Sequence, residues 1–211
     1  MKTMTEITTL TELRLLLEHS HKSLPLASKK DDIIPGEGKQ MSRVVFIGEA
    51  PGYQETVERR PFVGRSGQLF RKTLQEVGID EKEVYITNIV KARPPENRDP
   101  TPAEILAYKP FLDKEIELIS PSLVVTLGRF SMAKFLSDVK ISQVHGRLHK
   151  VVWNSKVQYV LPMYHPAAAL RGTKVKESFI TDFGKIEKII DWVEGQREVA
   201  SLSDEVVAHL F

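Results

Sequence analysis

The chain has 211 residues, 41% hydrophobic and 27% charged, with a formal net charge of +2 at pH 7. These are the proportions of an ordinary globular protein with enough chain for one domain and a sizeable core. Zero cysteines exclude disulfides, thiolate metal sites and a cysteine nucleophile, and no apolar stretch approaches the roughly 18 residues of a membrane span. The opening MKTMTEITTLTEL lacks a signal-peptide core, so the expected location is cytoplasmic.

Leu10, Leu13, Leu16 and Leu17 recur at helical spacing and predict an amphipathic helix over residues 8–19. Residues 20–41, with Pro25, Pro35, Gly36 and Gly38 among lysines and aspartates, read as a long loop or arm. Residues 1–42 are therefore expected to pack as a helix and arm on a domain spanning 43–193. The first strand is the run Val44, Val45, Phe46, Ile47, which breaks into Gly48-Glu49-Ala50-Pro51-Gly52. In an open parallel sheet such a strand delivers its following loop to the ligand crevice. Residues 49–65 make a loop too long for a simple connector, and loops of that length are usually functional. Ser66 is expected to cap a helix reaching about Val77, with Leu69, Phe70, Leu74 and Val77 on one stripe and Gly78 as its stop.

A second strand, Val84 to Asn88, leads into KARPPENR, where Pro94 and Pro95 force an extended turn. Thr101-Pro102-Ala103-Glu104 is a capping box with proline at the first helical position, opening a helix to about Ile119. Leu123 to Leu127 is a third strand with Gly128 as its exit, followed by a short helix from Phe130 to Leu136. Residues 137–149 read as a polar loop. Val151 to Trp153 and Tyr159 to Leu161 flank a turn at Asn154-Ser155, an antiparallel excursion before the last parallel strand. That strand ends in YHP at His165, and a helix over about Lys174 to Trp192 closes the domain. Residues 194–211 read as a tail or short helix with a cap at Ser203. Strands alternating with helices argue for an α/β fold with a largely parallel sheet covered on both faces.

Three apolar runs thus end in residues suited to chemistry or recognition. The loop after the first strand is neither GxxxxGK[ST] nor GxGxxG, and Pro51 has no N–H to offer a phosphate. It can still place Glu49 and Glu55 beside a bound group, or be a tight turn with surface carboxylates. The Asn88 amide offers a donor and an acceptor side by side, which matches the N3–H and O4 of uracil and mismatches cytosine; it can equally cap a turn. His165 opens a loop and can be catalytic or structural, and Phe62 can be core or a platform for a flat ring. Arg59, Arg60, Arg65, Arg71 and Lys72 follow the first strand, and Lys91, Arg93 and Arg98 the second. Arg147, His149, Lys150, Arg171, Lys174 and Lys176 come later. Converging at one sheet edge they would hold phosphates; scattered, they are solvated surface.

GEAPGYQE, PFVGRSGQLF, YITNIVKARPPENRDPTPAEI and YHPAAALR, in that order and spacing, strongly resemble family 4 uracil-DNA glycosylases, over most of residues 43–190. The resemblance implies a three-layer α/β/α fold with a central, mainly four-stranded parallel sheet, and monofunctional hydrolysis of uracil from DNA by base flipping, without strand cleavage. By motif position it implies Glu49 and Glu55 as the acids that place or polarise water, and His165 as support for charge on the departing base. Ala50, Phe62 and Asn88 fall at base-binding positions. Arg65, Ser66, Arg93, Arg147, Leu170 and Arg171 are the expected DNA contacts, with Leu170 and Arg171 in the loop that enters the duplex. Uracil-containing DNA, single- or double-stranded, is the implied partner, for a monomer. Similar domains accompany phage-type polymerases, which makes a DNA polymerase a candidate partner.

The family typically carries four cysteines on an iron–sulfur cluster. Here one pair aligns with Ala92 and Tyr108, the other with His21 and Leu24. No thiolate remains, so no cofactor and no metal are expected, and packing is expected to fill the space. Thr56 stands where the family's first motif often has aspartate. A catalytically silent, glycosylase-derived DNA-binding or polymerase-associated module is the alternative function, and hypoxanthine or xanthine the alternative base.

Overall fold

Within each strand the apolar side chains alternate between two covered faces, and that alternation builds the layers. The computed structural model describes residues 3–210, with side chains through residue 199. The elements run α1 (Leu10–His19), β1 (Val44–Gly48), α2 (Tyr53–Glu58), α3 (Arg65–Glu76), β2 (Val84–Asn88) and α4 (Pro102–Ile119). Then follow β3 (Leu123–Leu127), α5 (Arg129–Ala133), α6 (Ile141–Val144), β4 (His149–Trp153), β5 (Lys156–Met163), α7 (Pro166–Ala169), α8 (Thr173–Phe183) and α9 (Ile186–Leu210).

The sheet order is β2-β1-β3-β5-β4, with four parallel strands and β4 antiparallel at one edge. The expected four-stranded parallel sheet is thus present, extended by a hairpin. Asn154 and Ser155 turn that hairpin with positive φ at both positions, the geometry whose twist suits a two-residue turn. The returning half of the expected excursion, Tyr159 to Leu161, and the last parallel strand prove to be one continuous strand, β5.

Val44, Phe46, Val125, Leu127, Leu161 and Met163 face α3, α8 and α9. Phe46, Phe70, Phe179 and Phe183 meet there at ring centroids 4.4–6.0 Å apart, each ring worth roughly 1.5–3 kcal/mol of burial. On the other face Val45, Ile47, Tyr85, Val124 and Val160 pack against α1 and α4 through Leu13, Leu17, Tyr108, Leu112 and Ile116. The result is three layers.

The arm over residues 20–41 belongs to this core. Ile33 and Ile34 are fully buried, and Glu37 exchanges two backbone hydrogen bonds with Ile86 (2.9 and 2.8 Å). The arm therefore shields the open edge of β2, which an exposed strand would otherwise offer to another chain.

The capping box of α4 forms as expected: the Thr101 N–H donates to Glu104 (2.7 Å) and the Glu104 N–H to Thr101 (3.3 Å). Other boundaries differ. The 49–65 loop contains α2. The cap of α3 is Gly64, with Ser66 inside the helix, because Glu55 accepts the Gly64 N–H and anchors the chain two residues earlier than expected. The polar 137–149 segment contains α6 and gives His149 to β4. The short helix after β3 spans Arg129–Ala133 rather than Phe130 to Leu136. The closing helix is two helices, broken at Gly184, a poor helix former whose N–H ends α8 on Ile180. α9 then runs unbroken across residue 194 and through residue 203, so no helix starts at the expected Ser203 cap.

Candidate active site

Between β1 and β3 the connections leave the sheet in opposite directions, and in such sheets the crevice beyond the carboxyl ends of the strands binds the ligand. A cavity of about 550 Å³ opens there, within the range of small-molecule sites. Glu49, Ala50, Glu55, Phe62, Ser66, Asn88, His165 and Arg171 all line it. Four separate segments thus deliver the expected residues to one place.

Asn88 ends β2 only 3% exposed, and its Oδ1 is buried without a hydrogen-bond partner. Leaving a buried acceptor unpaired costs about 1–3 kcal/mol, so the oxygen is set to receive a ligand's N–H. Phe62, held at φ +55°, presents its ring beside Asn88. Its carbonyl accepts from Arg71 Nε (2.8 Å) and the Pro61 carbonyl from Arg71 Nη2 (2.7 Å). Gly67 lets α3 pass beneath, where a Cβ would lie 2.1 Å from the Phe62 carbonyl carbon.

His165 precedes Pro166, which starts α7. Its Nδ1 accepts the Ala167 N–H at 3.2 Å, so in the neutral ring the proton sits on Nε2 and that nitrogen is the donor. Burial, with the nearby Arg171 cation, pushes its pKa down to about 4, against a small opposing effect of Glu55. The ring is therefore neutral near pH 7. It lies 6.1 Å from the Phe62 ring, tilted by 35°.

The two carboxylates differ. Burial, reinforced by Asp99 and offset by Arg129, holds Glu49 above the ordinary carboxylate range. Glu55 is 8% exposed and is taken up by backbone. Its Oε2 accepts from Gly52 (3.0 Å), and its Oε1 from Val63 (2.9 Å) and Gly64 (2.8 Å). That geometry ties the Gly52 turn to the Phe62 loop while the carboxylate still lines the cavity.

Of the expected DNA contacts, Arg65 and Leu170 line a groove that adjoins the cavity, and Ser66 and Arg171 line both. Arg93 stands over the Tyr53 ring at the groove's edge, 5.4 Å from its centroid. Arg147 is exposed and lines neither space. The convergence of basic residues is only partial. Arg59 pairs with Glu18, Arg60 and Arg71 with Glu37, and Arg98 with Glu104. Lys91 is wholly buried against Glu115 (2.6 Å) and Thr87. These cations hold the fold, and of them only Arg98 lines the cavity as well.

Several lining residues gave no signal in the sequence. Asp99, in the loop before α4, and Arg129, at the start of α5, pair across the cavity rim. Tyr164 lines the cavity and packs on His145 at 4.4 Å between ring centroids, while His145 Nδ1 bonds Asp182 at 2.7 Å. Their partners lie far along the chain, so no local pattern marks them.

The positions aligned with the family's cysteines hold no ligand set for a thiolate cluster. Ala92 and Tyr108 are fully buried in the α1–α4 layer with Leu24. The Tyr108 hydroxyl donates to the Pro25 carbonyl (2.6 Å), and His21 Nδ1 bonds the Glu18 carbonyl (3.0 Å). These groups do not fit an iron–sulfur cluster, which thiolates must hold. Among the described residues no cluster of three or more metal-ligating side chains occurs.

Comparison with known proteins bears on this geometry. The family model described as the uracil DNA glycosylase superfamily matches residues 35–185. The chain is 40% identical over 176 residues to a type-4 uracil-DNA glycosylase of Sulfurisphaera tokodaii, covering 81% of this chain and 80% of that one. It is 39% identical over 177 residues to the type-4 uracil-DNA glycosylase of Archaeoglobus fulgidus, covering 81% and 88%. It is also 34% identical over 158 residues to a DNA polymerase of Bacillus phage SP01, covering 74% of this chain but 17% of that protein.

Proposed function

The chain belongs to the uracil DNA glycosylase superfamily, and we propose on that premise that it is a uracil-DNA glycosylase initiating base-excision repair. It hydrolyses the N-glycosidic bond of a uridine flipped out of DNA. The observation that carries the reading is the buried, unpartnered Oδ1 of Asn88 in one cavity with the Phe62 ring and the neutral His165.

Flipping a base costs a few kcal/mol, and stacking on Phe62 offsets roughly 1–3 kcal/mol of that. Asn88 Oδ1 accepts the uracil N3–H and its amide donates to O4. Cytosine, with an acceptor at N3 and a donor at N4, leaves both groups unsatisfied, and such unpaired buried groups give strong discrimination. As the bond to the sugar breaks, negative charge develops on uracil O2 and positive charge on the sugar. His165, donating through Nε2, stabilises the first as a neutral preorganised donor. Glu49 stabilises the second and orients the water that adds to the anomeric carbon; its proton passes to Glu49 or to solvent. Glu55 supports the Gly52 and Phe62 loops.

Ala50 falls in the base-facing wall, and Arg65, Ser66, Arg93, Leu170 and Arg171 are the proposed DNA contacts, with Arg147 as an outlying one. Action as a monomer is part of the proposal. A DNA substrate supports a cytoplasmic location at the genome. Similarity to part of a phage DNA polymerase supports a polymerase as partner. We further propose that Tyr108, Ala92 and Leu24 pack where the family's cluster would lie and that no cofactor is needed.

Excision from a fluorescent oligonucleotide with one deoxyuridine, followed by alkali, tests the reading. Wild type should cleave, and Asn88→Ala and His165→Ala should each lose at least tenfold. No cleavage, with DNA binding that weakens as salt rises, would favour the silent binding module.

A further inference from the structure

Tyr53 opens α2 with 61% of its surface exposed, and Val57, one turn on, is 60% exposed. Single exposed apolar residues are ordinary; the placement of this ring is not. It forms one wall of a groove that runs directly into the uracil cavity, the two spaces sharing Glu55, Ser66, Asn97, Ala167 and Arg171. Arg93 lies 5.4 Å from the ring centroid and is itself held by Asn97 Oδ1 at 2.7 Å. The ring is thus steadied by a cation whose own position is fixed, while most of its surface stays open to solvent. Leu170, 44% exposed, stands on the same groove.

We propose that Tyr53 is a stacking platform for the DNA base immediately next to the flipped uridine; the proposal rests on the uracil-DNA reading above. A strand whose nucleotide enters the cavity must cross its mouth, and the adjoining groove is the continuation of that path. Flipping deprives the neighbouring base of one stacking partner, and an exposed aromatic ring replaces it without regard to base identity. Arg65, Arg93 and Arg171 around the groove suit a polyanionic strand. Glu58 also lines it, and the Glu55 carboxylate is occupied by backbone N–H groups.

The test is a binding cycle measured by fluorescence anisotropy. Single-stranded oligonucleotides carry 2′-fluoro-deoxyuridine, which resists cleavage, with either a normal base or a tetrahydrofuran spacer at the 5′ or the 3′ neighbour. Wild type should lose roughly five- to tenfold in affinity when the neighbour on one side is removed. Tyr53→Ala should bind both oligonucleotides with equal, weaker affinity, and Tyr53→Phe should behave as wild type. Equal losses in wild type and Tyr53→Ala on both sides would overturn the platform, as would no binding by wild type. Excision of unmodified deoxyuridine is run in parallel. Excision without the Tyr53-dependent difference refutes the platform alone. The difference without excision upholds the platform and refutes the glycosylase.

Discussion

The side-chain oxygen of Asn88 lies so close over Gly48 that a Cβ on that glycine would come within 2.4 Å of it, and equally within 2.4 Å of the tip of the Phe62 ring. The base-reading amide and the stacking ring therefore share the space that a missing side chain leaves at the end of β1. Gly48→Ala should displace one or both and cut kcat/KM for uracil excision at least a hundredfold. The salt dependence of DNA binding should stay unchanged, because no phosphate contact is touched. A variant that retains more than a tenth of wild-type activity would show that the two groups need not meet there.

The pH profile should separate the two catalytic groups. His165, with a pKa near 4, stays a neutral donor over the working range and produces no acid limb above about pH 5. Glu49, held above the ordinary carboxylate range, must be ionised, so kcat/KM should rise with pH through its value and then level. Glu49→Gln should lose about a hundredfold and abolish that limb, whereas His165→Gln should lose activity and keep it.

The same histidine makes an acid-stability prediction. Its folded pKa lies below the usual 6.5, so the unfolded chain binds the proton first. Stability from this group is intact above pH 6.5 and is lost as pH falls through about 4, by about 3 kcal/mol at the end. In urea titrations, His165→Gln should show a flatter decline in stability over that window than wild type.

Glu49 and Glu55 should fail in different ways. Glu55→Ala leaves the N–H groups of Gly52, Val63 and Gly64 without their acceptor, an expected loss of about 1–3 kcal/mol with a raised KM as the Phe62 loop loosens. Glu49→Ala should leave Tm within about a degree or two of wild type and lower kcat. Thermal melts beside steady-state kinetics decide the assignment.

Lys91 and Glu115 form an ion pair sealed between β2 and α4, with Thr87 and Tyr85 also bonding the carboxylate. Lys91→Met alone should destabilise by about 3–5 kcal/mol because it strands a buried charge. Lys91→Met with Glu115→Leu should recover much of that loss. Denaturant unfolding of the two variants checks it.

What the sequence determined by itself was everything that repeats at short range. The strands from Val44, Val84 and Leu123, the boxed start of α4 at Thr101, and the stop at Gly78 follow from periodicity and from the φ/ψ limits of proline and glycine. The motif residues Glu49, Asn88 and His165 were legible because each closes an apolar run, and a parallel sheet puts the ends of such runs on one edge. Tertiary structure alone decided how similar residues divide their tasks. Glu49 and Glu55 differ because three backbone N–H groups converge on Glu55, while burial beside Asp99 and Arg129 sets the state of Glu49. Arg65 faces a groove while Arg59, Arg60 and Arg71 are tied to Glu18 of α1 and Glu37 of the arm, both distant in sequence. The phenol of Tyr108 meets the Pro25 carbonyl 83 residues away. A charge or a hydrogen bond acquires its role from the partner that folding brings within about 3 Å, and no local pattern records which partner that will be.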